Sequence, residues 1–317
     1  MSLPFFSADD VKSAVSMQEA IDLMEVAFSS VNNKTAETPL RVNMAIPDQD
    51  AHHLSMPAYI NGGKYLTVKL INVHTNNPSK GADLINGIIV VMDAETGSAV
   101  ALIDGKSVTA LRTGAASGLA SKYLARKDSS KLAIIGSGFQ AETQLEAIHS
   151  QFNLEEVKVF SRTKEKRDAF VNKMTKKLGL NIKSSQSSEE ATDNSDIISL
   201  ITNSQSPVIS DDQITKGIHI NAAGGNSWLR SELSSNSIGK FDFISTDDID
   251  QAKTECKELM EATEKGITSW NRVYNLSSVI NEEIVPRNNF QEITLYESLG
   301  IAIQDIAAAK YVYDQLN

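Results

Sequence analysis

The stretch "KLAIIGSGFQA", residues 131–141, decides the fold class of this chain. An apolar run from Leu132 to Ile135 leads into two glycines and then into a segment of helical character. Gly136, Gly138 and Ala141 fit the pattern G-x-G-x-x-G/A, in which the first glycine permits a tight turn and the second lets the backbone approach a pyrophosphate. The third residue must be small, so that the helix can pack on the strand. The stretch therefore predicts a dinucleotide site on a Rossmann-like sheet.

The rest of the chain divides into segments of different character. Residues 7–31 predict two helices with serine caps. Residues 40–103 predict a mostly antiparallel sheet of short strands, with a hairpin turn at 93–97. Residues 107–125 are alanine-rich and predict a helix. Beyond the glycine turn, short apolar strands alternate with helical segments, which is typical of a parallel doubly wound sheet, and residues 294–316 predict a closing helix.

The strand that follows the glycine turn ends in "VKVFSRTKEKRD", residues 157–168. Sites specific for NAD usually carry an acid about 20 residues after the glycines, where it holds the ribose 2′-hydroxyl. Here Ser161, Arg162 and Thr163 occupy that place, and Lys166 follows. A guanidinium pairs strongly with a 2′-phosphate. The segment therefore favours NADPH, with NADH as the alternative; a solvated helix start would also explain the lysines, but not the missing acid.

Composition excludes several classes of protein. The 317 residues carry a formal net charge of −10, which argues against a nucleic-acid binder. No apolar run reaches the roughly 18 residues of a membrane span. The single cysteine, Cys256, cannot form a disulfide within the chain, which favours a reducing compartment and leads us to expect the cytoplasm. The histidines have no partners at ligand spacing, so no metal site is expected.

Several segments together resemble the ornithine cyclodeaminase/mu-crystallin family. These segments are "LTVKL" (66–70), "TALRTGAASGLA" (109–120), "GSGFQA" (136–141), "IHINAAGG" (218–225) and "LGIAIQDIAAA" (299–309). They follow the family's order over nearly the whole chain. The resemblance implies an α/β fold in which a Rossmann-like doubly wound parallel sheet, residues 113–295, is inserted in an α+β substrate and dimerisation domain, residues 1–112 with 296–317. It also implies a homodimer.

The resemblance further implies the site residues. Arg41, Lys69 and Arg112 fall where family members hold the substrate carboxylate, and Lys69 is also the expected catalytic residue. The expected cofactor contacts are Arg112, Thr113, Gly136, Ser137, Gly138, Phe139, Gln140, Ala141, Ser161, Arg162, Thr163, Lys166, Thr202 and Gly224. Met56 is expected to line the substrate pocket. By the residues alone, Lys69 could instead point outward from a strand, Arg41 could lie on the surface, Met56 could pack in the core and Thr202 could cap a helix.

One departure from the family pattern bears on the reaction. Family members share hydride transfer between nicotinamide and the carbon of an amino-acid imine, and cyclodeaminases and related alanine dehydrogenases carry an aspartate shortly after the "NAxG" strand. This chain has Asn226 there, which we expect to contact substrate. Asparagine cannot accept a proton as a carboxylate can.

The expected function is therefore NAD(P)H-dependent reduction of a cyclic imino acid. The leading substrate is Δ1-pyrroline-2-carboxylate, which would give L-proline, with Δ1-piperideine-2-carboxylate as a second substrate. The enzymatic alternative is an ornithine cyclodeaminase or an alanine dehydrogenase. The alternative of another class is a non-catalytic, NADPH-binding, crystallin-like protein.

Overall fold

The computed structural model describes residues 3–225 and 227–317, and the chain divides into two compact units. The first unit joins Met1–Arg112 to Ile301–Asn317, and the second is Thr113–Gly300. The chain thus returns to the first unit five residues later than the predicted return at 295/296. The reason is the segment Thr294–Glu297, which is a strand that pairs on both sides within the sheet of the second unit.

The first unit is built on an antiparallel sheet with helices packed against it. Its elements, in chain order, are β1 (Phe5–Phe6), α1 (Ala8–Ala14), α2 (Met17–Asn32), β2 (Ala36–Glu37), β3 (Val42–Ile46), β4 (Ala51–Ile60), β5 (Tyr65–His74), β6 (Ile85–Asp93), β7 (Ala99–Asp104) and α3 (Gly105–Leu124), of which the part up to Arg112 belongs here. The strand order is β1-β7-β6-β5-β4-β2, with β3 also paired to β4. Every pairing except β1 with β7 is antiparallel. The predicted sheet, the hairpin at 93–97 and the serine caps of α1 and α2 are confirmed.

The second unit is a parallel sheet with helices between its strands. Its elements are β8 (Lys131–Ile135), α4 (Phe139–Gln151), β9 (Glu156–Phe160), α5 (Lys164–Leu178), β10 (Ile182–Ser184), α6 (Ser188–Thr192), β11 (Ile197–Leu200), β12 (His219–Ala222), β13 (Phe243–Thr246), α7 (Ile249–Glu255), α8 (Lys257–Glu264), β14 (Val273–Asn275), α9 (Leu276–Ile280) and β15 (Thr294–Glu297). The chain then returns to the first unit as α10 (Ala302–Leu316). The strand order is β10-β9-β8-β11-β12-β15-β13-β14, and all pairings are parallel. The predicted doubly wound parallel sheet is confirmed.

The closing segment corrects one prediction. Residues 294–316 do not form a single helix, because 294–297 form β15 and the helix begins only at Ala302. All four residues of β15 are buried, as in a strand covered on both faces. Such a short apolar run has no period that distinguishes it from a buried helix turn.

The central strand β8 explains why the opening stretch is a continuous apolar run. Leu132 and Ile134 pack into one apolar cluster, while Ala133 and Ile135 pack into another. Successive side chains of a strand point to opposite faces, so both faces of this sheet are covered. From β8 the chain first builds outward on one side to β9 and β10, and then on the other side to β11 and β12. The carboxyl end of β8 is therefore the topological switch point, where Rossmann-like sheets bind their ligands.

Two features bear on the expectations from composition. Among the described helices, none combines the length and the apolar character that a bilayer crossing requires. Cys256 is a free cysteine, and it is buried.

Candidate active site

The glycine turn after β8 has the shape that a pyrophosphate site requires. Gly136 has φ +121°, which side chains rarely adopt, and a Cβ there would lie 2.3 Å from the carbonyl oxygen of Ile201. At Gly138 a Cβ would meet nothing within 4 Å, so the backbone there is open to approach. Gly138 is the N-cap of α4, and Ala141 is fully buried where the helix packs. Because a helix N-terminus attracts anions, these residues fit a dinucleotide phosphate.

The end of β9 lies directly beside this turn. The Oγ atoms of Ser137 and Ser161 are 2.7 Å apart. Arg162, Thr163 and Lys166 are all exposed. Arg167, which has no signal in the sequence that sets it apart from the neighbouring cations, is buried, and its Nη1 donates to the carbonyl oxygen of Ser161 at 3.1 Å. Arg167 thus holds the strand end, whereas Arg162 and Lys166 are exposed cations beside it.

Thr113, Phe139 and Gln140 lie around the start of α4. The carbonyl oxygen of Thr113, a buried residue, accepts a 3.3 Å hydrogen bond from Gln144 of α4. Phe139 is exposed and Gln140 is half-buried. Helix α4 and the carboxyl-terminal part of α3 are in close contact, since a Cβ at Gly114 would lie 2.4 Å from the carbonyl oxygen of Thr143.

Two more expected cofactor contacts follow the next strands of the sheet. Thr202 lies two residues after β11, and Gly224 lies two residues after β12. One carboxylate holds both loops: Glu232 accepts from the backbone N–H of Thr202 and from that of Gly224, each at 2.6 Å. Thr202 is therefore part of a loop at the ligand edge of the sheet and does not cap a helix. Asn226, the expected substrate contact, lies outside the described residues.

The first unit contains a buried cluster of charges around Lys69. Lys69 is 1% exposed, and its Nζ lies 2.8 Å and 2.7 Å from the two carboxylate oxygens of Asp305 on α10. Arg112 bonds to the same carboxylate through Nε at 3.2 Å, and its Nη1 donates to Gln304 at 2.8 Å. The interpretation of Lys69 as an outward-pointing strand residue is wrong. Two cations share one carboxylate, so the trio carries a net positive charge when Lys69 is protonated.

Burial is the main influence on the pKa of Lys69. It lowers that pKa to about 7, against the opposing effect of Asp305, and the charges of Arg112 and Arg41 lower it further. Burial removes water from the charged ammonium group and so disfavours it, which brings the pKa of a buried amine down toward neutral pH. Lys69 can therefore hold or release a proton in the pH range where a general acid is useful.

Two expected site residues, Met56 and Arg41, lie close to Lys69, and a third neighbour, Asp305, was not expected. Met56 pairs directly with Lys69 across β4 and β5 and is 2% exposed, so it lies on the same face of the sheet. Arg41 is half-buried just before β3. Asp305 was not expected as a site residue. The signal in the sequence was a single carboxylate within the otherwise apolar and alanine-rich run "IAIQDIAAA", because a buried acid requires a cationic partner.

A second cluster of titratable groups lies in the second unit. Cys256, Glu258 and Glu297 place three ligand-capable atoms within 4.8 Å of one another, all buried. Burial raises the pKa of the Cys256 thiol and those of Glu258 and Glu297, and it raises the pKa of Glu232 to about 7. A neutral thiol is a poor nucleophile and a poor metal ligand. Since carboxylates this close cannot all ionise, this cluster retains protons at neutral pH.

Glu297→Gln is expected to stabilise the protein, and more so at high pH. The pKa of Glu297 is raised in the folded state above its ordinary value of 4.5. Its contribution to the free energy of unfolding is therefore full below pH 4.5 and is lost as the pH rises toward and through the folded-state pKa. Glutamine resembles the neutral acid and avoids that loss, which amounts to up to about 1.4 kcal/mol per pH unit. Thermal melting at pH 5 and pH 8 measures this. An equal change at both values would contradict the assignment.

Comparison with known proteins agrees with this architecture. The family model described as "Ornithine cyclodeaminase/mu-crystallin family" matches residues 4–317. The Δ1-pyrroline-2-carboxylate reductase of Bacillus cereus is 34% identical over 310 residues, which cover 98% of this chain and 95% of that protein. The alanine dehydrogenase of Archaeoglobus fulgidus is 35% identical, with 99% and 95% covered.

Solved structures give the same picture. The Δ1-pyrroline-2-carboxylate reductase of Thermococcus litoralis, in complex with NADH and L-proline, is similar with a TM-score of 0.96 and 34% identity, covering 99% of this chain and 97% of that one. An archaeal alanine dehydrogenase dimer with bound NAD is similar with a TM-score of 0.92 and 34% identity, covering 99% and 96%. The family match over nearly all residues and these full-length similarities lead to one conclusion: the chain belongs to the ornithine cyclodeaminase/mu-crystallin family.

Proposed function

We propose that this chain is an NAD(P)H-dependent reductase of cyclic imino acids, which reduces Δ1-pyrroline-2-carboxylate to L-proline and accepts Δ1-piperideine-2-carboxylate as a second substrate. The observation that carries the proposal is the buried trio of Lys69, Asp305 and Arg112. It combines a carboxylate-binding cation with an amine that titrates near pH 7. Relatives from Bacillus cereus and Thermococcus litoralis bear the name of this activity, and the latter binds NADH and L-proline.

Each member of the trio has a separate task in the reaction. Arg112 is fixed by Asp305 and Gln304 and offers its planar guanidinium to the substrate carboxylate, assisted by Arg41. Lys69 donates a proton to the imine nitrogen, which makes the imine carbon a better hydride acceptor. Bound nicotinamide supplies the hydride. Asp305 keeps Lys69 and Arg112 in place and compensates part of their charge in the apolar interior, while Met56 lines the pocket beside Lys69.

A spectrophotometric assay tests this proposal. Purified protein is mixed with NADPH or NADH and with Δ1-pyrroline-2-carboxylate or its six-membered homologue. Oxidation of the cofactor is followed as the loss of absorbance of the reduced nicotinamide ring at about 340 nm. We expect cofactor oxidation with both imines and formation of L-proline from the first. No oxidation with either imine would refute the function.

The second candidate is amino-acid dehydrogenation, which the 35% identical alanine dehydrogenase favours. Cyclodeamination of ornithine belongs to the same chemistry. Both reactions need a base in addition to hydride transfer, and Asn226 cannot serve as one. Pyruvate with ammonium and ornithine with NAD in the same assay distinguish these reactions from imine reduction. Tight NADPH binding without turnover on any of these substrates would indicate the crystallin-like alternative.

We also propose that NADPH is preferred over NADH. Support comes from residues 161–163, which contain no carboxylate, and from the exposed guanidinium of Arg162. The other expected ligand contacts at this edge are Ser161, Thr163 and Lys166. The solved relatives hold NADH or NAD, which supports a nicotinamide cofactor of either kind. The preference for the 2′-phosphate is proposed from this chain's own residues.

Arg162→Ala is expected to lower kcat/KM for NADPH by about tenfold or more and to leave kcat/KM for NADH unchanged. The reason is that the variant loses a charge-assisted bond to the 2′-phosphate, which NADH lacks. Steady-state rates with each cofactor measure this ratio. Lys173→Ala is the matched control, because Lys173 is an exposed lysine on α5, the helix that follows Arg162, and it pairs with Glu142. Equal losses with both cofactors would contradict the NADPH preference.

We further propose a homodimer and a cytoplasmic location. Nearly all of β3 is exposed, with Val42 at 62% and Met44 at 53%. A strand with bare apolar side chains and an open edge is a site for association, and the archaeal alanine dehydrogenase is a dimer. Size-exclusion chromatography with light scattering tests the dimer; a monomer at micromolar concentration would refute it. The free, buried Cys256 is consistent with a reducing compartment.

A further inference from the structure

Glu232 is a buried side chain that lies outside the glycine turn and takes no part in the proposed reaction. It is fully buried, and both of its carboxylate oxygens accept backbone hydrogen bonds. Oε1 accepts from Thr202 N–H, and Oε2 accepts from Gly224 N–H, each at 2.6 Å. The two donors belong to two different loops, which follow adjacent parallel strands β11 and β12. One carboxylate therefore ties together two strand ends at the ligand edge of the sheet.

The two loops touch each other at this point, so their positions are coupled. A Cβ at Gly224 would lie 2.0 Å from the carbonyl oxygen of Thr202 and 2.7 Å from Oε1 of Glu232. Only glycine permits this close approach. Because Rossmann-like sheets bind their dinucleotide across the carboxyl ends of the strands, a small shift of either loop would change the shape of the surface that meets the cofactor.

Two further acids lie near Glu232, and one of them, Glu258, holds its backbone. Glu258 accepts from the backbone N–H of Glu232 at 2.6 Å and from that of Leu233 at 3.4 Å. Glu258 stands in the first turn of α8, where the helix dipole favours a negative charge. Glu297 ends β15, which pairs with β12, and its Oε1 has no hydrogen-bond partner among the described residues. The cluster thus extends from the loops to the interior of the sheet.

The charges around this cluster decide which acid is ionised. Glu232 faces Arg230, Glu258 and Glu297, and Glu258 also faces Lys257. Burial raises the pKa of all three carboxyl groups. Glu232 and Glu258 each accept two backbone N–H bonds, which oppose this rise, whereas the neighbouring carboxylates raise the pKa of Glu297 further. The proton of the cluster therefore belongs on Glu297, and Glu232 remains an acceptor for both loops.

We propose that Glu232 is a positioning residue of the nicotinamide end of the cofactor site, and that it acts by holding the loops of Thr202 and Gly224 in one fixed arrangement. It does not touch the reacting atoms. The inference rests on the proposed function only in that the bound dinucleotide carries a nicotinamide ring at these loops. It extends that function because it assigns the shape of the surface that meets the nicotinamide ring to Glu232, whereas the phosphates meet the glycine turn.

Cofactor binding without any imine substrate tests this inference. Glu232→Gln retains the size of the side chain, but its amide nitrogen cannot accept, so one of the two loop bonds is lost. We expect NADPH to bind about tenfold more weakly or worse, since a charge-assisted bond is lost. We expect 2′-phospho-ADP-ribose, which lacks the nicotinamide ring, to bind as it does to the wild type. Emission of bound NADPH should also shift, because it reports the surroundings of the ring.

A second variant and a control complete the experiment. Glu232→Asp keeps the charge but is one methylene shorter, so it cannot reach both N–H groups and should show the same selective loss. Glu261→Gln, a more exposed acid on α8, is the matched control and should bind both ligands as the wild type does. Unchanged NADPH affinity in both Glu232 variants would overturn the proposal, as would an equal loss of 2′-phospho-ADP-ribose binding or failure to fold, since Glu232 would then support the whole unit. Because no imine is present, failure of the reductase assay would leave this result unaffected.

Discussion

Replacing Lys69 by methionine is expected to lower kcat for imine reduction by about 10²- to 10⁴-fold, the usual contribution of a positioned acid or base. Methionine fills nearly the same space in a site that is 1% exposed, so packing is kept, and Asp305 retains Arg112 as its partner. The substitution removes the proposed proton donor, whereas the glycine turn, the proposed cofactor site, is unchanged. Steady-state assays give kcat, and fluorescence titration gives the NADPH dissociation constant, which should not move.

Lys64→Met provides the matched control for this substitution. Lys64 immediately precedes the same strand, β5, but it is exposed and lies over the ring of Tyr65. Its loss should leave kcat within about twofold of the wild type, as for most surface substitutions. A Lys69→Met enzyme with near-normal kcat would refute the catalytic role, and a parallel loss of NADPH affinity would show that Lys69 acts on the fold of the site instead.

The pH dependence gives an independent measure of the same residue. The pKa of Lys69 is lowered to about 7, so the side chain is protonated below that pH and neutral above it. Imine reduction requires the protonated form, and kcat is therefore expected to fall as pH rises through about 7. In Lys69→Met this alkaline limb should be absent. The same limb in both proteins would assign it to another group, for instance the imine itself.

The fold was largely predictable because its signals are local. Three small residues, Gly136, Gly138 and Ala141, together with the alternation of short strands and helices, predict a parallel sheet with a dinucleotide turn, and each signal lies within a few positions along the chain. The prediction failed where the local pattern has two meanings. The buried strand 294–297 shows neither a helical nor a strand period, so its sequence does not distinguish it from the first turn of the helix that follows.

The candidate site was less predictable because its members meet only in three dimensions. Lys69 and Asp305 are 236 residues apart, and no spacing rule connects them. Glu232, Glu258 and Glu297 lie in three separate segments of the chain, and no spacing rule connects them either. Burial creates both clusters, and burial of a charged residue is a property of the assembled fold, not of its neighbours in sequence.

Gly136→Ala is expected to destabilise the protein by about 2–5 kcal/mol, because it combines two costs. The backbone there has φ +121°, a conformation almost reserved for glycine. The new methyl would also lie 2.3 Å from the carbonyl oxygen of Ile201, so β8 or the loop after β11 must move. Chemical denaturation followed by circular dichroism measures the change in the free energy of unfolding. A loss below about 1 kcal/mol would contradict this account of the turn.

Gly138→Ala is the matched control, because it separates the shape of the turn from its use. Gly138 has φ −80° and ψ −177°, which alanine adopts freely, and a Cβ there meets no atom within 4 Å. Stability should therefore change by less than about 0.5 kcal/mol. The methyl would, however, occupy the space through which a pyrophosphate approaches the backbone, so the affinity for NADPH and for 2′-phospho-ADP-ribose should fall about tenfold or more. A Gly138→Ala protein that binds both ligands normally would move the phosphate site away from this turn, whereas a selective loss of affinity with full stability would place the pyrophosphate on the N-terminus of α4.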